Sequence, residues 1–169
     1  MGILSSLFNS IPQYENNKQY GDYGVTEICR KWTANDAKLN AKTVLKQINN
    51  CTNICKTTHN PVVFFYRYDM LIKKTIELSY ISQYVKITGV SPSKLVKMAI
   101  EQKSEQVTNL INNTYSNTRD KILNLKTPKS KLNAVDKFKS DFEPFLDEMN
   151  DDNKHRIDEY VEMLKQLCE

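Results

Sequence analysis

Pro61-Val-Val-Phe-Phe-Tyr-Arg-Tyr-Asp-Met-Leu-Ile72 opens a segment, residues 62–87, in which sixteen of twenty-six residues are apolar or tyrosine. They do not keep to one helical stripe. Phe64, Tyr68, Leu71, Leu78 and Val85 form one row, and Phe65, Ile72, Ile76 and Ile87 a second. Tyr66, Met70, Lys73, Glu77, Tyr80 and Tyr84 form a third, mixed row. A helix that is apolar most of the way round must be covered on most sides. The segment therefore reads as a central helix at 61–87 around which the rest of the chain wraps. Asn60-Pro61 gives it a start, with a cap candidate and proline at the first helical position. Gly89 gives it a stop, because glycine enters the left-handed region without a Cβ penalty.

Working outward, residues 1–32 read as an amino-terminal arm and an irregular wrapping segment, and 33–169 as one helical domain. Leu39, Val44, Leu45 and Ile48 mark a helix face from Thr33 to about Asn50, extending as far as Ile54. Ser91-Pro92 starts a further helical pattern that runs to about Leu125, with a bend expected at Asn112-Asn113-Thr114. The next helix, from about Lys129, carries Val135, Phe138 and Phe142, and Pro144 must kink or break it. Asp151 or Asp152 can cap the last helix, whose apolar face is Ile157, Tyr160, Val161, Leu164 and Leu167. The expectation is an all-α, single-domain bundle of five or six helices. Four glycines and five prolines in 169 residues argue against a β-rich chain with many tight turns.

Charge is unevenly spread. Residues 1–90 carry eleven bases and six acids, residues 91–140 ten and four, and residues 141–169 three and ten. An acidic last helix beside basic neighbours favours docking within the chain, although each exposed pair contributes only about 0–1 kcal/mol. Lysine outnumbers arginine twenty to four, and asparagine and isoleucine are frequent. That is the residue usage of an AT-rich coding sequence, such as a low-GC bacterium, its phage or a mobile element. Four cysteines in a chain this long do not read as a disulfide framework, so a reducing, cytoplasmic setting is expected. No apolar run suits a membrane span, and no membrane partner is expected. Met1-Gly-Ile-Leu-Ser-Ser6 fits the myristoylation pattern, but Ile3, Leu4, Leu7 and Phe8 serve equally as an amphipathic arm.

Little in the sequence suggests catalysis. There are two histidines, and neither Gly-x-Ser-x-Gly, His-Glu-x-x-His nor a phosphate-cradling glycine loop occurs. No cofactor and no catalytic residue are expected. Cys29, Cys51, Cys55 and His59 could form a three-cysteine, one-histidine zinc set. On one continuous helix, however, Cys51 and His59 would stand about 12 Å apart, so the helix would have to break between them. Asp152-x-x-His155 reads as a cap and a solvent histidine.

Ile87-Thr-Gly-Val-Ser-Pro-Ser93, with Leu95 and Met98, resembles the turn and second helix of the helix-turn-helix in phage-repressor-like DNA-binding proteins. That resemblance implies DNA contact by the segment at 85–98, through Ser91, Ser93, Lys94 and Lys97, with Leu95 and Met98 turned inward. The lysine row Lys38, Lys42 and Lys46 would then track phosphates, although it serves equally as a solvated face. DNA binding is the alternative reading. The first reading is a non-catalytic protein-binding module or inhibitor, an accessory protein of a phage or mobile element acting on a host protein. Its contact residues are Tyr66, Met70, Lys73, Glu77, Tyr80 and Tyr84, because tyrosine and methionine are enriched at interfaces.

Overall fold

The computed structural model describes residues 34–82 and 85–168, with side chains from Leu39 onward. The arm and wrapping segment expected at 1–32 lie outside the described residues. Six α-helices follow in order: α1 Ala34–Thr57, α2 Pro61–Ile81, α3 Pro92–Glu101, α4 Lys103–Asn124, α5 Pro128–Phe142 and α6 Asp151–Gln166. A 3-10 helix, Glu143–Glu148, separates α5 from α6. No strand occurs among the described residues, so the fold is all-α.

The proline-marked boundaries fall where the sequence puts them. Pro61, Pro92 and Pro128 each open a helix. Asn60 accepts a hydrogen bond from the Val63 amide (3.2 Å), and Thr127 accepts one from Ser130 (3.2 Å). Both satisfy an amide that has no partner inside its helix. Pro144 ends α5, and the chain tightens into the 3-10 turn.

Four boundaries differ from expectation. α1 continues to Thr57. α2 ends at Ile81, six residues short, and Val85 and Ile87 are half-buried outside the helix. Burial of those two apolar side chains sustains a helical-looking pattern without a helix. Gly89 does take a left-handed φ of +78°, but inside the connection rather than as the residue that closes α2. Residues 92–124 are two helices that part at Gln102, whose φ and ψ are −85° and −2°. Asn112-Asn113-Thr114 lies within unbroken α4. Finally, Asn150 caps α6 in place of Asp151 or Asp152, accepting from the Asn153 amide at 2.9 Å.

The described residues fall into two compact units, 34–53 with 68–101 and 54–67 with 102–168. In the first, Ala41, Val44, Ile48 and Cys51 of α1, Tyr68, Leu71, Ile72, Ile76, Leu78 and Ile81 of α2, and Val96 and Ala99 of α3 are buried. Side chains of this kind stabilise by about 1.5–3 kcal/mol each when fully buried. The buried Tyr68 hydroxyl donates to the Ala99 carbonyl at 2.8 Å, and so supplies a partner to the last turn of α3. Thr75, also buried, donates to the Ile72 carbonyl at 2.8 Å.

The second unit is built on α4, α5 and α6. The start of α4 meets the start of α6: Thr108 donates to buried Asn153 (2.7 Å), Asn153 to the Ser104 carbonyl (3.3 Å), and Asn150 to the Ser104 hydroxyl (2.8 Å). Further along, Tyr115 stacks on Tyr160 with centroids 4.0 Å apart, and the Tyr160 hydroxyl donates to Asn112. α4 and α6 therefore run parallel. Lys131 near the start of α5 donates to the Leu167 carbonyl after α6, so α5 runs the other way. Phe64, Phe65, Val107, Leu110, Ile111, Phe138, Phe142 and Leu164 are buried in this unit. Phe65 stacks on Phe145 of the 3-10 helix at 4.4 Å, and Thr114 donates to the His59 carbonyl at 3.2 Å.

Candidate interaction surface

α2 divides into an exposed head and a covered body. In its first turn, Val62 is 57% exposed, Val63 38% and Tyr66 62%. Between them, Phe64 and Phe65 are buried. From 67 to 82 no described residue is exposed, whichever side of the helix it occupies. That is the expected behaviour of a helix apolar on several faces. The head shares the composition but not the cover.

Of the contact residues read from the sequence, Tyr66 is the one exposed among those described. It belongs to the second unit, and the Arg67 guanidinium lies 5.7 Å from its ring centroid. Met70, Lys73, Glu77 and Tyr80 belong to the first unit and are half-buried. Lys73 pairs with Asp69 at 2.7 Å, and Glu77 with Lys74 at 2.6 Å. Tyr84 lies outside the described residues. The structure thus brings forward one member of the row and adds two residues, Val62 and Val63, that none of the three rows included. Val62 and Tyr66 are four apart and Val63 and Tyr66 three apart, so the three share one end of one face.

The nucleic-acid candidates lie on α1 and α3 of the first unit. Ser91, Ser93, Lys94 and Lys97 are exposed at the start of α3, as are Lys42 and Lys46 on α1. The Lys38 side chain lies outside the described residues. Residues 82–91 separate α2 from α3, where a helix-turn-helix has a turn of about three or four residues. The buried residues of α3 are Val96 and Ala99, while Met98 is 39% exposed and Leu95 half-buried. That places the inward face one residue later than the resemblance implies. Lys97 lies 3.7 Å from Glu101, with both side chains largely exposed.

Of the zinc candidates, the described Cys51, Cys55 and His59 form no group that could hold a metal ion. α1 stays helical through Cys51 and Cys55 and ends at Thr57, so the break that the zinc reading requires before His59 is present. Both thiols are buried, and the Cys55 thiol points to the Phe64 carbonyl at 3.9 Å. His59 is exposed in the following turn, and Cys29 lies outside the described residues. Among the described residues no group of three His, Cys, Asp or Glu side chains could hold a metal ion. His155 is exposed and lies 3.3 Å from Glu159. The Arg156 Nε atom is buried without a hydrogen-bond partner among the described residues, and nothing in the structure explains it.

One titration is displaced. The Glu162 carboxylate, hydrogen-bonded to Lys165 at 2.7 Å, holds that ammonium above its ordinary value, and Asp136 adds to the effect. No described helix is long and apolar enough to cross a membrane. No family model, curated protein or solved structure matches the chain.

Proposed function

We propose that this protein is a non-catalytic protein-binding module, of the kind that inhibits or redirects a host protein, and that its contact surface centres on Val62, Val63 and Tyr66. The observation that supports this reading is the exposure of three large apolar side chains on one turn of a helix that is otherwise covered. Apolar groups cost free energy when held in water, roughly 25 cal/mol per Å². A cluster of them on a surface is where a partner gains most by covering them. Tyr66 suits such a surface, since a tyrosine offers a broad ring with few rotatable bonds and a hydroxyl for the rim. The accessory role in a phage or mobile element rests on residue usage alone.

The DNA reading gains less support. The connection before α3 is long, the inward face of α3 is displaced by one residue, and Lys97 has an acidic neighbour. Nothing in this arrangement favours it over a solvated helix.

Affinity capture from the cell of origin tests the proposal. The full chain and the double variant Val62→Ser/Tyr66→Ala would be immobilised side by side, after circular dichroism shows equal helicity. The expected result is a protein retained by the wild type and lost with the variant. Equal retention by both would reject this surface.

A further inference from the structure

The second unit has two ends of opposite charge. Because α5 runs against α4 and α6, one end gathers the last turn of α4, the connection at 125–127, the first turns of α5 and the last turn of α6. Arg119-Asp-Lys-Ile-Leu-Asn-Leu-Lys-Thr-Pro-Lys-Ser-Lys-Leu132, which forms most of that end, holds five bases and one acid. Lys121, Lys126 and Lys129 are exposed there, and none forms an ion pair with another described residue. Two large apolar side chains stand among them, Leu123 at 62% exposure and Leu132 at 47%.

The opposite end gathers the first turn of α4, the last turn of α5, the 3-10 helix and the first turn of α6, as the Lys103–Glu148 pair (2.8 Å) and the Asn150–Ser104 bond require. Glu143-Pro-Phe-Leu-Asp-Glu-Met-Asn-Asp-Asp152 holds five acids and no base. Glu143, Asp147 and Asp152 are exposed and form no ion pair with another described residue. Asp151 reaches Lys154 at 3.6 Å.

We infer that the occupant of the basic end is the acidic end of a second copy of this chain. A positive patch and a negative patch carried at opposite ends of one compact unit are complementary between copies but cannot meet within one. Such a contact is head-to-tail, so a dimer keeps a free basic end and a free acidic end, and assembly continues past two copies as a filament or a ring. The exposed leucines favour a protein occupant over a phosphate backbone, which offers nothing apolar to cover them. Phe65 in the head of α2 stacks on Phe145 of the acidic stretch, but the exposed Val62, Val63 and Tyr66 belong to neither charged stretch and are left unchanged by the substitutions below.

Sedimentation equilibrium on nuclease-treated full chain tests this inference. The salt concentration would be raised from about 20 mM to about 500 mM, which shortens the screening length from tens of ångströms to a few. At low salt the mass is expected to rise with protein concentration without levelling at a dimer, and at high salt to fall to the 19.7 kDa monomer. Lys126→Glu/Lys129→Glu should abolish the association, as should Glu143→Lys/Asp147→Lys. Each double variant neutralises one stretch and leaves the other intact, so an equimolar mixture of the two should form a dimer and grow no further. These are exposed positions, and circular dichroism would confirm that each variant folds. A monomer at low salt would overturn the inference. So would a wild-type plateau at the dimer, growth that requires added duplex DNA, or a mixture of the two double variants that stays monomeric.

Discussion

Tyr66 and Tyr68 are two residues apart on the same helix. The first is 62% exposed and the second 2%. The turn around Tyr66 leaves Val62 and Val63 in solvent, whereas along 67–82 even Lys73, Lys74 and Glu77 are half-covered. Composition does not separate these regions, because both are rich in β-branched and aromatic residues. What differs is whether the neighbouring elements reach them. Hydrophobicity states what a side chain gains by being covered; packing decides whether it is. An apolar turn left open beside an apolar body fully covered is where an external partner has something to gain.

The widest separation between the two regions should appear in stability. Ile76→Ala removes a side chain with no exposure and should destabilise the fold by about 2–5 kcal/mol. Val62→Ala, at the open head, should change stability by no more than about 0.5 kcal/mol. Urea denaturation of the two variants in one buffer checks this, and equal losses would erase the distinction.

The tyrosines sharpen the comparison at the level of one atom. Tyr68→Phe removes the hydroxyl from the Ala99 carbonyl and should cost about 1–3 kcal/mol, since that acceptor is left in a buried site. The same change at Tyr66 should leave the unfolding midpoint where it is.

The smallest effect lies away from α2, at an exposed pair. Glu162→Gln should bring the Lys165 ammonium down towards its ordinary value of 10.5, which an NMR titration of its side chain would read. The pair raises the folded value above the unfolded one. Its contribution to stability is therefore present below 10.5 and is lost as pH rises through the folded value. An unmoved titration would show that Glu162 does not hold Lys165.

The all-helical fold and most helix starts were legible, because they rest on local chemistry. Proline at the first helical position and an asparagine or threonine before it act within a few residues, and Pro61, Pro128 and Pro144 behave accordingly. The end of α2 was not legible. Val85 and Ile87 extend the apolar pattern beyond Ile81, and a pattern reports burial without reporting the backbone that achieves it. Nor was the break at Gln102, which has neither glycine nor proline beside it. Asn150 and Asp151 are similar in capping strength, so the choice between them depended on Ser104, a residue far along the chain that Asn150 also binds.

Of the candidate surface, the sequence yielded Tyr66 but not Val62 or Val63. Those two look like core residues by every local measure. Their exposure follows from the side of the helix they occupy, since Pro61, Phe64 and Phe65 take the buried side, and that is a property of the assembled unit.

Hydroxyl-radical footprinting of the wild-type protein, read residue by residue by mass spectrometry, tests the division of α2 most directly. The account predicts rapid oxidation of Tyr66, with Val62 and Val63 also modified, and strong protection of Tyr68, Ile72 and Ile76 until the chain is unfolded. Protection of Tyr66 equal to that of Tyr68, or ready oxidation of both, would contradict it.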